Sequence, residues 1–373
     1  MRIAVTGLRG VPASWGGVEH HCEEIFSRLA ARGHAVTVYA RSHYVQNGIQ
    51  SYKGIVIRRL PTINNKFTEA FIHTVLSTAF ILKENPDIIH IHAQGPCMCS
   101  WLPRLFRPRM RIFFTCHGLD WKRKKWPWWA SRFIYLGELC STVFPHYRIA
   151  VSKDLQKYYV EKYRVPVHYI PNGIKKPERR SPHLIQKYGL SNRNYFLFVG
   201  RIVPEKRVED VIQAYLMKTR KTKLVIVGES ADTENYTTGL KQMAKNNSSI
   251  LFVGYQFGEI LEELYSNARA FITSSELEGL PITLLEALSY GTLCIASNIQ
   301  PHQEVLGQLN GLLYRTGDVA SLAQLINQAD EMSGDMLDAV YRKSAKIITE
   351  LFNWDAAADM LEKLYIESLN NLT

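Results

Sequence analysis

Short, nearly continuous apolar runs that alternate with helical patterns dominate this sequence. Runs such as AVTVYA (35–40) and KLVIVG (223–228) contain few polar residues, which is typical of parallel strands buried on both faces of a sheet. Between such runs, apolar residues recur at helical spacing, as in residues 281–290. This alternation predicts parallel sheets flanked by helices. The predicted strands are 3–7, 35–40, 87–92, 112–117, 148–152 and 167–170, and then 195–200, 223–228, 250–254, 270–274 and 293–297.

A polar, proline-containing segment at 171–182 interrupts this alternation, after which the pattern restarts. The 373 residues suffice for two ordinary domains, and an apolar content of 46% can supply a core to each. We therefore predict an α/β protein whose parallel-sheet domains, 1–171 and 183–354, face each other across a cleft. The last helix, about 355–373, carries an amphipathic stripe, and we expect it to pack back on the N-terminal domain.

The net charge of +11 favours partners such as nucleic acid, an anionic membrane or phosphorylated ligands. No run of 18 apolar residues is present, so we expect no membrane-spanning segment. The N-terminus is a predicted strand and lacks the pattern of a signal peptide. Six scattered cysteines, of which Cys97 and Cys99 are too close for an ordinary zinc pair, favour free thiols. Together these features predict a cytoplasmic protein.

Two loops that follow predicted strands of the C-terminal domain carry charged residues. In GRIVPEKR (200–207), Arg201 offers a planar fork and Lys206 a point charge, a combination that suits a diphosphate. In SSELEGLPITLLE (274–286), we expect Pro281 in the first helical turn, with Glu278 before the helix and Glu286 inside it. The start of such a helix attracts anions. The alternatives are a solvated basic loop and two exposed glutamates.

The N-terminal domain offers a glycine-rich loop and a strand-end histidine. In GLRGVPASWGGVE (7–19), Gly16-Gly17 at a helix start lets backbone approach a phosphate or sugar closely, although a plain flexible loop fits equally. The loop lacks both the G-x-G-x-x-G and the GK[ST] pattern, so neither NAD nor a P-loop is indicated. His117 in TCHGLDW ends a strand, where it would contact a polar ligand or serve structure alone.

A metal site is not indicated by the spacing of potential ligands. His90 and His92 alternate with apolar residues, which favours a packing role, and no histidine triad is visible. Asp232 and Glu234 are a poor substitute for the D-x-D motif of manganese-dependent sugar transferases. We therefore expect no metal cofactor.

Basic and aromatic residues interleave in WKRKKWPWW (121–129). Tryptophan favours the headgroup region of a membrane, and each cation near an anionic surface adds about 1 kcal/mol. The segment therefore predicts contact with an anionic membrane surface, unless the tryptophans simply pack the core. The residues assigned to this surface are Asp120, Trp121, Lys122, Arg123, Lys124, Lys125 and Trp126.

Taken in order, these motifs resemble the family 4 glycosyltransferases of the GT-B fold. The matching parts run through almost the whole chain: GGVE, HG, IPNGI, GRIVPEK, EGLPITLLE with its E-x7-E spacing, and FNW before the last helix. The resemblance implies two Rossmann-like domains. LRGVPASWGGVE and HGLDWKRKKW are also similar to a bacterial subset of the family that is associated with polysaccharide assembly and includes rhamnosyltransferases.

The resemblance implies a role for each motif. Arg201 and Lys206 would hold the donor diphosphate, and Glu286 would accept hydrogen bonds from the ribose hydroxyls. Glu278, with Gly279 and Leu280, would lie by the donor sugar and phosphate. The Gly16-Gly17 loop would close over the diphosphate, and His117 would contact the donor sugar near the reacting carbon. The catalytic assignments are therefore His117, Arg201, Lys206 and Glu278.

The expected activity is metal-independent transfer, with retained configuration, from a UDP-, GDP- or dTDP-linked sugar. The acceptor would be a saccharide or a polyprenyl-diphosphate-linked saccharide, reached from the inner face of the membrane, with no nucleic acid partner. Two alternatives stay open. One is a GT-B epimerase acting on nucleotide sugars. The other is a non-catalytic basic adaptor that binds a membrane or nucleic acid through residues 121–129.

Overall fold

The structure, a computed structural model, describes residues 1–13, 16–63, 68–230, 233–307, 309 and 311–371. The chain divides into two compact units, Met1–Gly173 with Trp354–Thr373, and Ile174–Asn353. The chain thus passes from one unit to the other at the start of the predicted linker 171–182, and it returns just before the last helix. Most of that segment belongs to the second unit, where the Arg179 guanidinium donates to the Ser266 carbonyl at 3.0 Å.

The first unit is built on an eight-stranded sheet. Its strands are β1 (Arg2–Thr6), β2 (Ala35–Arg41), β3 (Ser51–Tyr52), β4 (Ile55–Leu60), β5 (Ile88–His92), β6 (Arg111–Cys116), β7 (Tyr147–Ala150) and β8 (His168–Tyr169). Its helices are α1 (Gly17–Ala31), α2 (Glu69–Glu84), α3 (Trp101–Phe106), α4 (Trp128–Val143) and α5 (Lys153–Tyr163).

In this sheet the strand order is β3-β4-β2-β1-β5-β6-β7-β8, and every pair is parallel except β3 with β4. The chain leaves β1 towards β2 on one side and later returns to β5 on the other. The carboxyl ends of β1 and β5 therefore form a topological switch point, where open α/β sheets bind ligands.

The second unit is built on a six-stranded parallel sheet in the order β11-β10-β9-β12-β13-β14. Its switch point lies between the neighbouring strands β9 and β12. The strands are β9 (Tyr195–Val199), β10 (Lys223–Val227), β11 (Ile250–Phe252), β12 (Ala270–Thr273), β13 (Leu293–Ser297) and β14 (Leu312–Tyr314). The helices are α6 (Val208–Leu216), α7 (Glu234–Ala244), α8 (Gly258–Asn267), α9 (Ile282–Ser289), α10 (Gln300–Leu306), α11 (Val319–Glu331) and α12 (Gly334–Leu351).

The last helix, α13 (Trp354–Asn370), lies on the first unit. Arg28 of α1 pairs with Asp355 at 2.6 Å, and Arg32 pairs with Glu362 at 2.7 Å. The buried side of the helix follows most of the predicted stripe, although Met360 is exposed. Its buried residues are Trp354, Ala357, Ala358, Leu361, Tyr365 and Ser368.

Two sequence expectations concern the chain as a whole. Among the described residues, no helix combines the length and the apolar character needed to cross a membrane. All six cysteines are free thiols, as predicted, and every one except Cys140 is buried.

Asp232, which was considered as a metal ligand, lies outside the described residues.

Candidate functional site

The two charged loops of the second unit lie side by side, because they follow the neighbouring strands β9 and β12. The Ser274 hydroxyl donates to the carbonyl oxygens of Lys206, at 2.7 Å, and Arg207, at 2.8 Å. The Glu276 amide donates to the Glu205 carbonyl at 2.9 Å. The motifs GRIVPEKR and SSELEGLPITLLE therefore form one fixed edge at the switch point of this sheet.

Lys206 and Glu278 form an ion pair at this edge. Their Nζ and Oε1 atoms are 2.5 Å apart, and both side chains are only 13% exposed. The Ser275 hydroxyl donates to the same carboxylate oxygen at 2.7 Å. Burial raises the pKa of Glu278, but the Lys206 charge, a smaller effect of His302 and the two hydrogen bonds outweigh it, so the net pKa lies below its usual value. Glu278 is therefore a carboxylate at neutral pH.

This pairing joins two residues that were assigned to different parts of a donor. Lys206 was assigned to the diphosphate and Glu278 to the sugar, and the structure brings their charged groups into direct contact. The lysine ammonium has three donor protons. It can therefore keep Glu278 as a partner and still donate to a phosphate oxygen. Arg201 lies in the same loop, one residue after Gly200, and is half-buried.

Gly228, which sequence analysis did not select, shapes this loop from the neighbouring strand. It follows β10 with a φ of +133°, a conformation that favours glycine. A Cβ atom here would collide with the Gly200 carbonyl, while the Gly200 amide donates to the Val227 carbonyl at 3.0 Å. The terminal glycine of KLVIVG was the available signal. Gly228 allows the loop that carries Arg201 to lie directly against β10.

Helix α9 begins next to Glu278, but one residue later than predicted. Pro281 is the N-cap residue, with φ −75° and ψ 105°, and the helix starts at Ile282. The expectation of Pro281 inside the first turn is therefore wrong, since its ψ keeps it extended. Among the described residues, no side chain caps this helix start. Gly279 and Leu280 are buried just before it, so backbone N–H groups of the first turn are the polar groups at this point.

Glu286 lies within α9 and is held by a buried tyrosine. The Tyr265 hydroxyl donates to its Oε2 atom at 3.0 Å. Tyr265 stacks on Tyr290, with ring centroids 5.5 Å apart and planes inclined by 13°. Burial, together with the Glu286 charge, raises the pKa of Tyr265 well above its usual value, so the tyrosine remains a hydrogen-bond donor. This contact fixes the carboxylate in one orientation, as recognition of ribose hydroxyls would require.

In the first unit, Gly16 and Gly17 lie where the glycine-rich loop enters α1. Gly16 is the N-cap residue with a φ of +105°, and a side chain there would collide with the Glu19 carboxylate. That carboxylate in turn accepts the Arg9 amide at 3.1 Å. The backbone conformation at position 16 therefore favours glycine. Gly17 is exposed at the helix start.

His117 does not stand alone after β6. Its Nε2 atom is 2.9 Å from Nδ1 of His92, which ends β5, and its ring lies 4.6 Å from the ring of His21 on α1. His21 in turn bonds the Asn172 Oδ1 atom through Nδ1 at 2.9 Å. Burial lowers the pKa of all three imidazoles, that of His21 to about 4. They are therefore neutral at pH 7.

This histidine cluster (His21, His92 and His117) could not be found from sequence spacing, because its members come from three separate elements. One ring nitrogen from each residue lies within 4.8 Å of the others, close enough for one metal ion to be shared. His92 was interpreted as a packing residue. His90 does have that role, with Nε2 bonded to the Thr115 hydroxyl at 2.7 Å.

The basic, aromatic segment after His117 is anchored at its start. The Trp121 indole donates to the fully buried Glu138 at 2.7 Å, and the Asp120 amide donates to Gln94 at 3.1 Å. Glu138 also accepts hydrogen bonds from Gln94, Tyr158, Lys162 and Tyr163. Sequence analysis missed Glu138, which reads as an ordinary helical glutamate in α4.

The rest of this segment is more open to solvent. Lys122 and Lys124 are exposed, whereas Arg123 is paired with Asp120 at 2.9 Å. The Lys125 ammonium lies 4.7 Å from the centre of the half-buried Trp126 ring. Beyond it, Trp128 is 79% and Trp129 is 49% exposed. These two tryptophans therefore do not pack the core, and Trp121 does so only in part.

Comparison with known proteins gives matches over both units. A family profile described as Glycosyltransferase Family 4 matches residues 15–176, and one described as Glycosyl transferases group 1 matches residues 181–347. The lipopolysaccharide 1,6-galactosyltransferase of Salmonella typhimurium is 27% identical over 208 residues, which cover 52% of this chain and 54% of that protein.

Two further similarities extend over more of the chain. The UDP-Gal:alpha-D-GlcNAc-diphosphoundecaprenol alpha-1,3-galactosyltransferase of Escherichia coli is 24% identical over 309 residues, covering 78% of this chain and 77% of that protein. The solved structure of sucrose-phosphate synthase from Thermosynechococcus elongatus superposes with a TM-score of 0.84 at 22% identity, covering 98% of both chains. The latter likeness shows the fold.

Proposed function

The chain belongs to the family 4 glycosyltransferases of the GT-B fold, and from this premise we propose a specific reaction. It is a retaining enzyme that transfers a sugar from a UDP-, GDP- or dTDP-linked donor. The acceptor is a saccharide or a polyprenyl-diphosphate-linked saccharide in the synthesis of a bacterial surface polysaccharide. Similarity to galactosyltransferases that act on lipopolysaccharide and on a diphosphoundecaprenol-linked sugar supports this acceptor class.

The single observation that carries the proposal is the edge of the second unit. Arg201 and the Lys206–Glu278 pair lie on loops that are hydrogen-bonded to each other at the switch point, next to the start of α9. Glu286 lies one turn further along that helix. Cations and helix N–H groups suit a diphosphate, and a fixed carboxylate suits a ribose. A nucleotide sugar has all three groups in the required order: ribose, diphosphate and sugar.

The same edge accounts for catalysis in this proposal. As the bond between sugar and diphosphate breaks, negative charge grows on the leaving phosphate. Arg201, Lys206 and the helix start would stabilise that charge from fixed positions, which is the largest contribution many enzymes make to rate. We propose that these groups supply the electrostatic stabilisation that a divalent metal gives in other transferases, and that the reaction is metal-independent.

We also propose that the first unit works against an anionic membrane at its inner face. The exposed Trp128 and Trp129 follow the basic run 122–125 after two residues, so one short segment would offer both cations and tryptophans to lipid headgroups. His117, shortly before this segment, keeps the role that the family resemblance implies, contact with the donor sugar. Rhamnose is the donor sugar that the resemblance of the N-terminal motifs favours.

Calorimetric titration with UDP, GDP and dTDP, followed by a donor-hydrolysis screen that includes dTDP-rhamnose, tests the proposal. We expect one of the three nucleotides to bind with a clear preference. In the hydrolysis screen, the corresponding nucleotide sugar should slowly release its sugar as the retained anomer, observed by NMR. Absence of binding to all three nucleotides would favour the adaptor. Interconversion of the bound sugar, with no transfer to any acceptor, would favour the epimerase.

A further inference from the structure

The histidine cluster (His21, His92 and His117) has features that sugar transfer does not explain. It places three imidazoles together, with one ring nitrogen from each within 4.8 Å of the others. Tetrahedral zinc with nitrogen ligands at about 2.0–2.1 Å separates those nitrogens by roughly 3.4 Å, so shifts of about an ångström would complete a site. The His92 Nδ1 and His117 Nε2 atoms are 2.9 Å apart and share a hydrogen bond, so metal binding would displace one proton from this pair.

Asn172 prepares His21 as a ligand. Its amide oxygen, Oδ1, lies 2.9 Å from His21 Nδ1, so Nδ1 is the protonated nitrogen and Nε2 keeps its lone pair. Histidines that bind metals usually donate their other N–H to an oxygen in this way, which fixes the tautomer and the ring orientation. Both residues are nearly inaccessible to solvent, His21 at 2% and Asn172 at 4% exposure.

His92 presents its Nδ1 atom to the cluster, since this is the atom that contacts His117 at 2.9 Å. It is fully buried at the end of β5, so the sheet fixes the position of its ring. Its ring stacks on that of His117, with centroids 5.2 Å apart.

From these contacts we propose that the histidine cluster binds one divalent transition-metal ion of the zinc type through His21, His92 and His117. Imidazole is a ligand for zinc, copper, nickel and iron, whereas the all-nitrogen set lacks the oxygens that magnesium and calcium prefer. Three protein ligands leave at least one coordination position for water. His117 is the partly exposed member and the route by which an ion reaches the other two.

The consequence for activity rests on the proposed function. A metal ion on His117 takes the imidazole that would contact the donor sugar, so zinc inhibits transfer and a chelator relieves the inhibition. The site is therefore an inhibitory one, and the metal-free protein is the active form. Binding itself does not depend on which reaction the protein catalyses.

Titration of tag-free, full-length protein with Co²⁺, followed by visible absorption, tests the site, with Zn²⁺ used in competition. We expect saturation at one ion per chain. His21→Gln and His92→Gln should weaken binding by more than the ~10–100-fold that loss of a residue supporting a ligand costs. Asn172→Leu should weaken it by that ~10–100-fold, and Asn172→Asp should tighten it, because a carboxylate makes the imidazole a better ligand.

The matched control is His73→Gln. His73 is also buried in the first unit, with an Nε2 atom that lacks a partner among the described residues, but it is not a member of the cluster. Its variant should bind Co²⁺ like the wild type. The proposal is overturned if the wild type shows no saturable site, if His73→Gln loses binding as the cluster variants do, or if Asn172→Asp binds no more tightly.

Tighter binding by Asn172→Asp cannot come from misfolding, so this variant keeps the test decisive even if a His→Gln variant unfolds. The two proposals also fail separately. A protein that transfers sugar but binds no Co²⁺ contradicts the metal site alone. A protein that binds one Co²⁺ through the cluster but recognises no nucleotide contradicts the proposed function alone.

Discussion

Replacement of Lys206 by alanine should damage both stability and catalysis, although the residue lies on a loop. Stability is affected because the Lys206 and Glu278 side chains are each only 13% exposed and their charged atoms lie 2.5 Å apart. Lys206→Ala removes the charge that chiefly opposes the burial penalty of Glu278. The carboxylate then keeps the Ser275 hydroxyl but no paired cation.

Two free energies can be attached to this change. Removal of one partner from a buried ion pair costs about 3–5 kcal/mol. The pair keeps some solvent contact, and Glu278 keeps its Ser275 hydrogen bond. We therefore expect the free energy of unfolding of the second unit to fall by about 2–3 kcal/mol. In catalysis, loss of a group that stabilises developing charge costs on the order of 3 kcal/mol, or ~100-fold in kcat.

The pH dependence separates the ion pair from other causes. The pKa of Glu278 in the folded protein lies below its usual value, so the pair stabilises the fold above the pKa of the unfolded chain, about 4.3. That contribution is lost as the pH falls through the lower pKa of the folded state. The difference in melting temperature between wild type and Lys206→Ala should therefore be large at pH 7 and should shrink progressively as the pH falls below the pKa of the unfolded chain.

Thermal melting from pH 3 to 8 and donor turnover at saturation are the measurements. Glu278→Gln serves as the matched control, since its amide oxygen still accepts from Lys206 and Ser275. In the Lys206→Ala, Glu278→Gln double variant, the stability loss should be smaller than the sum of the single losses, because no uncompensated carboxylate remains. A Lys206→Ala protein that melts like the wild type at pH 7, or that keeps wild-type turnover, would refute this reasoning.

Three further expectations follow from the contacts described above. Glu286→Gln should weaken nucleotide binding, measured by calorimetry, by about 1–3 kcal/mol, and Tyr265→Phe should weaken it by about 1 kcal/mol. A loss of kcat without a loss of nucleotide affinity would contradict the ribose assignment. Activity should persist in EDTA, and a strict requirement for added manganese or magnesium would exclude the proposed metal-independent mechanism. Neutralisation of residues 122–125 by serine or glutamine should abolish sedimentation with anionic liposomes, while nucleotide binding is kept; unchanged sedimentation would leave this segment a structural role only. The matched control neutralises four exposed lysines of the second unit, Lys218, Lys221, Lys241 and Lys245.

The sheets could be predicted largely from the sequence because most of their strands are buried on both faces. An unbroken apolar run such as that of β13, in which all five residues are buried, cannot be mistaken for a surface segment. The missed strands lack this signal. In β4 (IVIRRL), buried and exposed residues alternate at the border of the sheet, and β3 and β14 have only two and three residues. These three strands are too short or too mixed in polarity to be recognised from the sequence alone.

The candidate site was predictable to the level of loops and no further. Because both charged motifs follow predicted strands, the Arg201 and Glu278 loops could be assigned to the carboxyl end of the sheet, where the structure has them. That they are adjacent depends on the order of β9 and β12, and the Lys206–Glu278 pair depends on side-chain positions within that edge. Neither follows from spacing in the sequence. The same applies to the histidine cluster, since α1, β5 and the end of β6 meet only when the first sheet is assembled.

The basic, aromatic segment shows why a pattern of charges can indicate a surface without indicating how it is held. In the sequence, residues 121–129 form one segment of interleaved cations and tryptophans. In the structure, Trp121 is tied to Glu138, a carboxylate with no exposure and five donor residues, so the first residue of the segment is fixed to the core. Trp128 and Trp129 project into solvent at the start of α4. A firmly anchored segment that exposes tryptophan loses little conformational entropy on docking, which would favour the proposed contact with a membrane surface.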